Sequence, residues 1–287
     1  MKKVNLVLVG SGYLGNAILI NMNKIRHNYS IIEIARSKKE RSKSVVSMQF
    51  DLDKDCRDLE IEENSKIVYM APPDTVSEND LRIAKFMKLI SNKNVARFIY
   101  ISTSGVYGDC GGQIVSEEDS IKPLTDRAKR RADAETQVLK FSKENNVKVI
   151  ILRVPGIYGK DRLPLKRILS REPLINHTDS RTTNLIHVED LSRVVIKSLD
   201  IDIQKNEVVN VSDGVAIKTT EYYEIIYDIL GKELPEYITY QDAQKLYDYK
   251  RLSFLNESRI LNVNKMNRLM PDCIEYKDVR EGIKNSL

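Results

Sequence analysis

Six residues near the start carry the first chemistry. Gly10-Ser11-Gly12-Tyr13-Leu14-Gly15 spells G-x-G-x-x-G. The motif leaves an apolar run at residues 4–9 and opens a segment, residues 13–24, with Leu14, Ala17, Ile18 and Met22 at helical spacing. Strand, glycine turn and helix form the context in which such a motif binds the pyrophosphate of a dinucleotide. Gly10 permits the tight turn, Gly12 lets backbone approach the phosphates, and Gly15 lets the helix pack closely on the strand. The helix start adds unpaired N–H groups and the positive end of its dipole. A glycine turn without a ligand is the simpler alternative, and the intact context weighs against it.

The end of the second strand is the next test, because an acid there would hold the ribose hydroxyls of NAD. This chain reads Ile34-Ala35-Arg36-Ser37-Lys38. Arg36 offers a planar, permanently charged fork suited to a 2′-phosphate. Ser37 and Lys38 add a hydroxyl and a second charge. Glu33 stands too early and, on an alternating strand, faces a different way. The reading favours NADP(H), with NAD(H) as the alternative.

The elements that must position these residues follow from hydrophobic pattern. Short apolar runs at residues 4–9, 31–35, 45–50, 67–71, 97–102 and 147–153 predict strands. Helical spacing falls between them at 13–24 and 79–92, and from a cap at Thr125 to Glu144. Repeated strand–helix units imply an α/β Rossmann fold, a doubly wound parallel sheet. After residue 155 the rhythm shortens, with helices at 165–171, 188–200 and 220–230 and strands at 184–187 and 208–211. We read residues 1–155 as the dinucleotide-binding domain and 156–287 as a smaller substrate-binding portion. That boundary is soft, since the chain can cross back.

Composition excludes several classes. The net charge of +5 comes from 46 basic and 41 acidic residues, mostly in mixed-sign helical stretches, so no nucleic-acid surface is expected. Cys56, Cys110 and Cys273 lack disulfide or metal-ligand spacing, which suits a reducing cytoplasm and no metal. No apolar run reaches the roughly 18–20 residues that span a bilayer. Met1-Lys2-Lys3 imitates a signal-peptide start, but the apolar segment behind it runs straight into the glycines.

Three later segments make a resemblance specific. Residues 100–108 (YISTSGVYG), 152–159 (LRVPGIYG) and 184–191 (NLIHVEDL) occur in the order and spacing of the extended short-chain dehydrogenases/reductases. The chain resembles this NAD(P)-dependent epimerase/dehydratase superfamily over nearly its whole length. The resemblance implies a cofactor lying across the strand ends. Asp51 and Leu52 would flank the adenine, Ala71 and Pro72 the ribose side, and Pro155, Gly156 and Ile157 the nicotinamide. Thr103 matches the catalytic Ser/Thr that hydrogen-bonds the reacting substrate oxygen.

The chain then departs from the pattern. The family's acid/base Tyr, followed four residues later by Lys, falls on Arg127 and Arg131, and residues 124–139 contain no Tyr. An Arg stays protonated and cannot serve as a general base near neutral pH. The glycine loop is also tighter than the G-x-x-G-x-x-G of the extended enzymes. Both features resemble the atypical branch of the superfamily, which keeps the fold and cofactor site but loses the Tyr–Lys pair.

Tyr107 and Tyr158 lie in strand-end loops and are candidate replacements, against a packing role. Arg131 could keep the ribose-holding duty of the absent Lys, with Lys129 nearby. His187 is a candidate cleft acid/base, against a structural His bonded to backbone. Asp190 reads as a helix-start residue, and Arg181 and Arg162 as candidates for an anionic substrate. The function expected is an NADP(H)-binding oxidoreductase or epimerase/dehydratase-like protein acting on a small polar, sugar- or nucleotide-linked substrate. The rival is a non-catalytic NAD(P)-binding sensor. A homodimer is expected by fold-level analogy.

Overall fold

Alternate residues of the first strand enter two separate cores. In the computed structural model, which describes residues 4–55 and 57–287, β1 (Val4–Val9) sends Leu6 and Leu8 to one face. Val7 and Val9 go to the other. All four are fully buried, as a strand covered by helices on both faces requires. Residues 1–3 and Cys56, part of the leader and cysteine expectations, lie outside the described residues.

β2 (Tyr29–Ala35), β3 (Val45–Gln49), β4 (Ser65–Tyr69) and β5 (Val95–Thr103) extend the sheet in the order β3-β2-β1-β4-β5. The short β6 (Ile114–Val115) stands apart, and β7 (Val149–Val154) pairs beside β5. After β8 (Gly156–Tyr158), β9 (Leu174–Ile175) and β10 (Thr182–His187), the chain returns. β11 (Glu207–Asn210) pairs with β7 and completes a seven-stranded parallel sheet. The fold is the doubly wound α/β arrangement that strand–helix alternation predicts.

α1 (Tyr13–Lys24) lies on one face. On the other, α2 (Leu81–Ile90) and α3 (Asp126–Asn145) pack through Ile83, Phe86, Val138 and Phe141. Thr125 caps α3, its side chain accepting from Ala128 N. α2 begins at an Asp80 cap, one residue later than Asn79, because the Asp80 carboxylate accepts from both Arg82 N and Ile83 N.

The single turn α4 (Leu165–Leu169) precedes α5 (Val188–Ser198), which joins α1 in the first core through Leu191, Val194 and Val195. The chain therefore crosses back over residue 155, and α5 and β11 belong to the same layers as the N-terminal half. β12 (Ala216–Lys218) and α6 (Thr219–Ile229) follow, with β8, β10 and β12 forming a small second sheet. Tyr158, Ile168, Leu185, Tyr222 and Ile226 build a third core there.

The tail, which has no strong periodicity, folds into β13 (Tyr237–Ile238), α7 (Tyr240–Leu246) and α8 (Tyr249–Leu255). β14 (Ile260–Leu261), α9 (Asn264–Leu269) and α10 (Val279–Ser286) complete it. β14 pairs with β6 and so ties the tail to the loop after β5. Among the described residues, Cys110 and Cys273 are free thiols and no cluster of metal-ligating side chains occurs. No helix among them is long and apolar enough to cross a membrane.

Candidate functional site

Because the main sheet is all-parallel, its strand ends open along one edge, the place where such folds hold ligands. Gly10, Arg36, Asp51, Ala71, Thr103 and Pro155 all lie at or within two residues of those ends.

Gly10 has φ +73°, and a Cβ there would come within 2.5 Å of the Ala71 backbone. Only glycine lets β1 turn so close to the end of β4. At Gly12, which caps α1, a Cβ would meet nothing nearer than the Gly10 carbonyl at 3.9 Å. No side chain caps α1, so its first N–H groups are left for an anion. These features fit a dinucleotide pyrophosphate. Gly15 acts differently from expectation. A Cβ there would overlap the Ser11 side chain, 2.1 Å from Oγ, with Met70 Cε 3.6 Å away. It makes room chiefly for its own loop's buried Ser11 rather than for the strand.

Tyr13 fastens this loop to the C-terminal portion. Its hydroxyl donates to the Lys160 carbonyl at 2.8 Å, and the Arg162 guanidinium lies 4.7 Å from its ring centre. Burial pushes the phenol up to about 12, so it remains a neutral donor. Leu14 is buried in the first core.

At the end of β2, Arg36, Ser37 and Lys38 are exposed. The next cation turns inward, with Lys39 Nζ donating to the Ser11 carbonyl and standing 3.6 Å from Glu33 Oε1. Arg41 donates to both Glu33 carboxylate oxygens at 2.7 and 2.5 Å and to Asn16 Oδ1 at 2.6 Å. Glu33 pairs in register with Leu8, so it points to the α1 face, as does Ala35 two residues on. Glu33 thus lies on the opposite face of the sheet from Ile34, as an alternating strand requires. Burial raises its pKa, but the Arg41 hydrogen bonds and the charges of Arg41 and Lys39 outweigh that and hold it below its usual value.

The third and fourth strand ends form the neighbouring wall. Asp51 accepts from Asp53 N at 3.0 Å, and Leu52 is buried in the second core. Arg82 makes two hydrogen bonds of 2.6 Å to Asp53 and donates to the Pro72 and Pro73 carbonyls at 2.9 and 3.1 Å. Ala71 is buried beneath exposed Pro72.

Thr103 ends β5 half-buried, and its Oγ1 accepts from Gly105 N at 3.2 Å, which leaves its own proton to donate. Arg131 donates to the Ile101 carbonyl, the Tyr100 hydroxyl and the Ala71 carbonyl at 3.1, 3.0 and 3.4 Å. It sits at the junction of β4 and β5. Pro155 and Ile157 are half-buried and Gly156 exposed at the end of β7.

The structure does not bring the two candidate tyrosines to an open surface. Tyr107 is 1% exposed, its hydroxyl donating to Asn210 Oδ1 at 2.8 Å and accepting from Arg153 at 2.9 Å. Tyr158 is 2% exposed in the third core, edge-on to the His187 ring. His187 caps α5: its Nδ1 accepts from Glu189 N at 3.3 Å, which leaves the Nε2 proton to face Ser286 Oγ at 3.2 Å. Burial lowers its pKa and keeps the ring neutral. Asp190 stands in the first turn of α5, as expected of a helix-start residue, and accepts from Glu275 N and Tyr276 N at 3.0 and 3.1 Å.

Arg181 is exposed and lines a small pocket with Arg167, Arg251, Tyr223 and Tyr247. Sequence reading missed Glu33, Lys39 and Arg41 as a unit, and also the strap at Glu257 and Arg259. Arg259 donates to the Gly108 carbonyl at 2.8 Å, and Glu257 Oε1 is buried without a hydrogen bond.

The NAD dependent epimerase/dehydratase family model matches residues 6–212, well over half of the chain. The chain belongs to this family. A putative UDP-glucose 4-epimerase of Methanocaldococcus jannaschii is 21% identical over 79% of this chain and 82% of its own length. Among solved structures, a functionally unknown conserved protein from Silicibacter pomeroyi superposes with TM-score 0.82 at 20% identity, covering 98% of this chain and 97% of that one. UDP-glucuronic acid 4-epimerase from Bacillus cereus, in complex with NAD, gives 0.76 at 16% identity over 99% and 97%. Family membership agrees with the glycine loop and the order of strand-end segments.

Proposed function

We propose that the chain is an NAD(P)-dependent enzyme acting on a sugar nucleotide, with NADP(H) preferred. The observation that carries this reading is the glycine loop, where a strained Gly10, an open Gly12 and an uncapped α1 start face the strand ends together. A bound nicotinamide would supply hydride exchange. Thr103 would orient the reacting oxygen, Arg131 would hold the ribose, and Pro155, Gly156 and Ile157 would flank the ring. The Arg167–Arg181–Arg251 pocket suits the phosphates of a nucleotide-linked substrate. Tyr107, Tyr158 and His187 serve as struts, consistent with their burial.

The NADP(H) preference is supported by exposed Arg36, Ser37 and Lys38 and by Ala35 where an acid would hold ribose. NADPH fluorescence on mixing tests binding, and turnover across UDP- and dTDP-sugars tests the activity. Arg36→Asp should weaken NADP(H) far more than NAD(H); equal loss removes the preference. The second reading, a non-catalytic sensor, is favoured by Arg127 and Arg131 at the acid/base positions, and dinucleotide binding without turnover on that panel would establish it. Free Cys110 and Cys273 suit a cytoplasmic setting. Residues 1–155 would carry most of the cofactor site and 156–287 most of the substrate site. A homodimer is tested by sedimentation.

A further inference from the structure

We infer that Lys39, held beside Glu33, which Arg41 anchors in turn, is the cation that distinguishes a 2′-phosphorylated adenosine from a plain one. This deepens the cofactor preference proposed above and rests on it. Lys39 Nζ donates to the carbonyl of Ser11, the residue between the two glycines of the phosphate loop. A carbonyl is a weaker partner for an ammonium than a phosphate dianion, so an arriving phosphate takes Nζ from Ser11.

Glu33 builds the arrangement. It stands on the same face as Ala35, two residues before it, so its carboxylate anchors cations beneath the place where an acid would otherwise take ribose. It is fully buried, and one carboxylate against Lys39 and Arg41 leaves a positive balance toward the ligand. Arg41 spends its Nε and one terminal nitrogen on Glu33 and Asn16, which makes it an anchor. The Lys39 side chain keeps 29% exposure and remains reachable. Arg36 and Lys38 lie farther out, where salt screens them.

The test is isothermal titration of wild type, Lys39→Met, Lys39→Arg, Arg36→Met and Glu33→Gln with adenosine 2′,5′-bisphosphate and with 5′-AMP. Lys39→Met should weaken the bisphosphate roughly tenfold, as loss of a charge-assisted contact does, and 5′-AMP less than about twofold. Arg36→Met should cost less, Lys39→Arg should restore most of the selectivity, and Glu33→Gln should lower the selectivity ratio part-way. Equal losses for both ligands with Lys39→Met, or a selectivity carried by Arg36 alone, overturns the inference. Wild type that binds both adenylates equally refutes the NADP(H) preference, and wild type that binds neither refutes the dinucleotide site. A preference that survives Lys39→Met refutes the inference alone. Because Lys39 is partly exposed, its replacement empties no core.

Discussion

Arg153 of β7 meets Glu135 of α3 in a buried ion pair of 2.7 Å, both side chains less than a tenth exposed. Ser102 Oγ donates to the same carboxylate at 2.5 Å, and Tyr107 bridges Arg153 to Asn210 at the start of the return from β11. One polar chain therefore joins β5, β7, β11 and α3 directly beneath Thr103.

Breaking that pair on one side leaves an uncompensated buried charge. Glu135→Ala should cost about 3–5 kcal/mol of stability, read as a lower urea midpoint. Tyr107→Phe should cost about 1–3 kcal/mol and leave dinucleotide affinity unchanged. A Tyr107→Phe protein of normal stability that binds cofactor but has lost all turnover would contradict the strut role.

Tyr158 offers the opposite case. Its hydroxyl is buried with no hydrogen-bond partner, and burial raises its pKa far above the usual phenol value. Removing an unsatisfied group relieves its desolvation, so Tyr158→Phe should be neutral or stabilising by up to about 1–2 kcal/mol in thermal unfolding. A catalytic phenol would instead show itself as lost turnover.

Thr103 is the residue whose loss should separate chemistry from binding. Thr103→Ala should lower turnover of a sugar-nucleotide substrate roughly 100-fold, the scale for one donor to a reacting oxygen. NADPH affinity should change less than about twofold. Thr103→Ser should recover most of the rate.

Asp213 sets a pH dependence of stability. Burial, with the Asp190 charge adding to it, raises its carboxyl to about 7 from 3.8, although its Oδ1 accepts from Val215 N at 3.0 Å. Between about pH 4 and 7 the folded state holds the proton that the unfolded state has released, so stability falls as pH rises, by up to about 1.4 kcal/mol per unit. His187, kept neutral by burial, acts oppositely below its unfolded pKa, because the unfolded state takes up its proton first. Asp213→Asn should therefore gain stability relative to wild type at pH 8 and little at pH 4. Parallel unfolding midpoints for the two proteins across pH 4–8 would refute it.

The glycine loop and the strand–helix order were legible because they rest on local spacing: residues 4–24 specify strand, turn and helix with no help from the rest of the chain. Thr125 was legible for the same reason. Glu33 was not, because its meaning comes from Arg41, eight residues away, and from Leu8 on a neighbouring strand. Tyr107 reads from sequence as a loop aromatic, and only Arg153 and Asn210, 46 and 103 residues away, show where its hydroxyl is held. The tail after residue 231 gave no period, since its short helices are shaped by what they cover.

The return of the chain to the sheet also bears on synthesis. When residue 155 has left the ribosome, every strand of the main sheet but β11 has been made, yet the outer edge of β7 is unpaired. The apolar side of α1 that packs with α5 is bare as well. The helix face stays so until residue 198 emerges and the strand edge until residue 210, the latter a wait of roughly three to ten seconds at ordinary elongation rates. The nascent chain thus carries an open edge and a sticky helix face together. Chaperone dependence of its expression should track the stretch between residues 155 and 210.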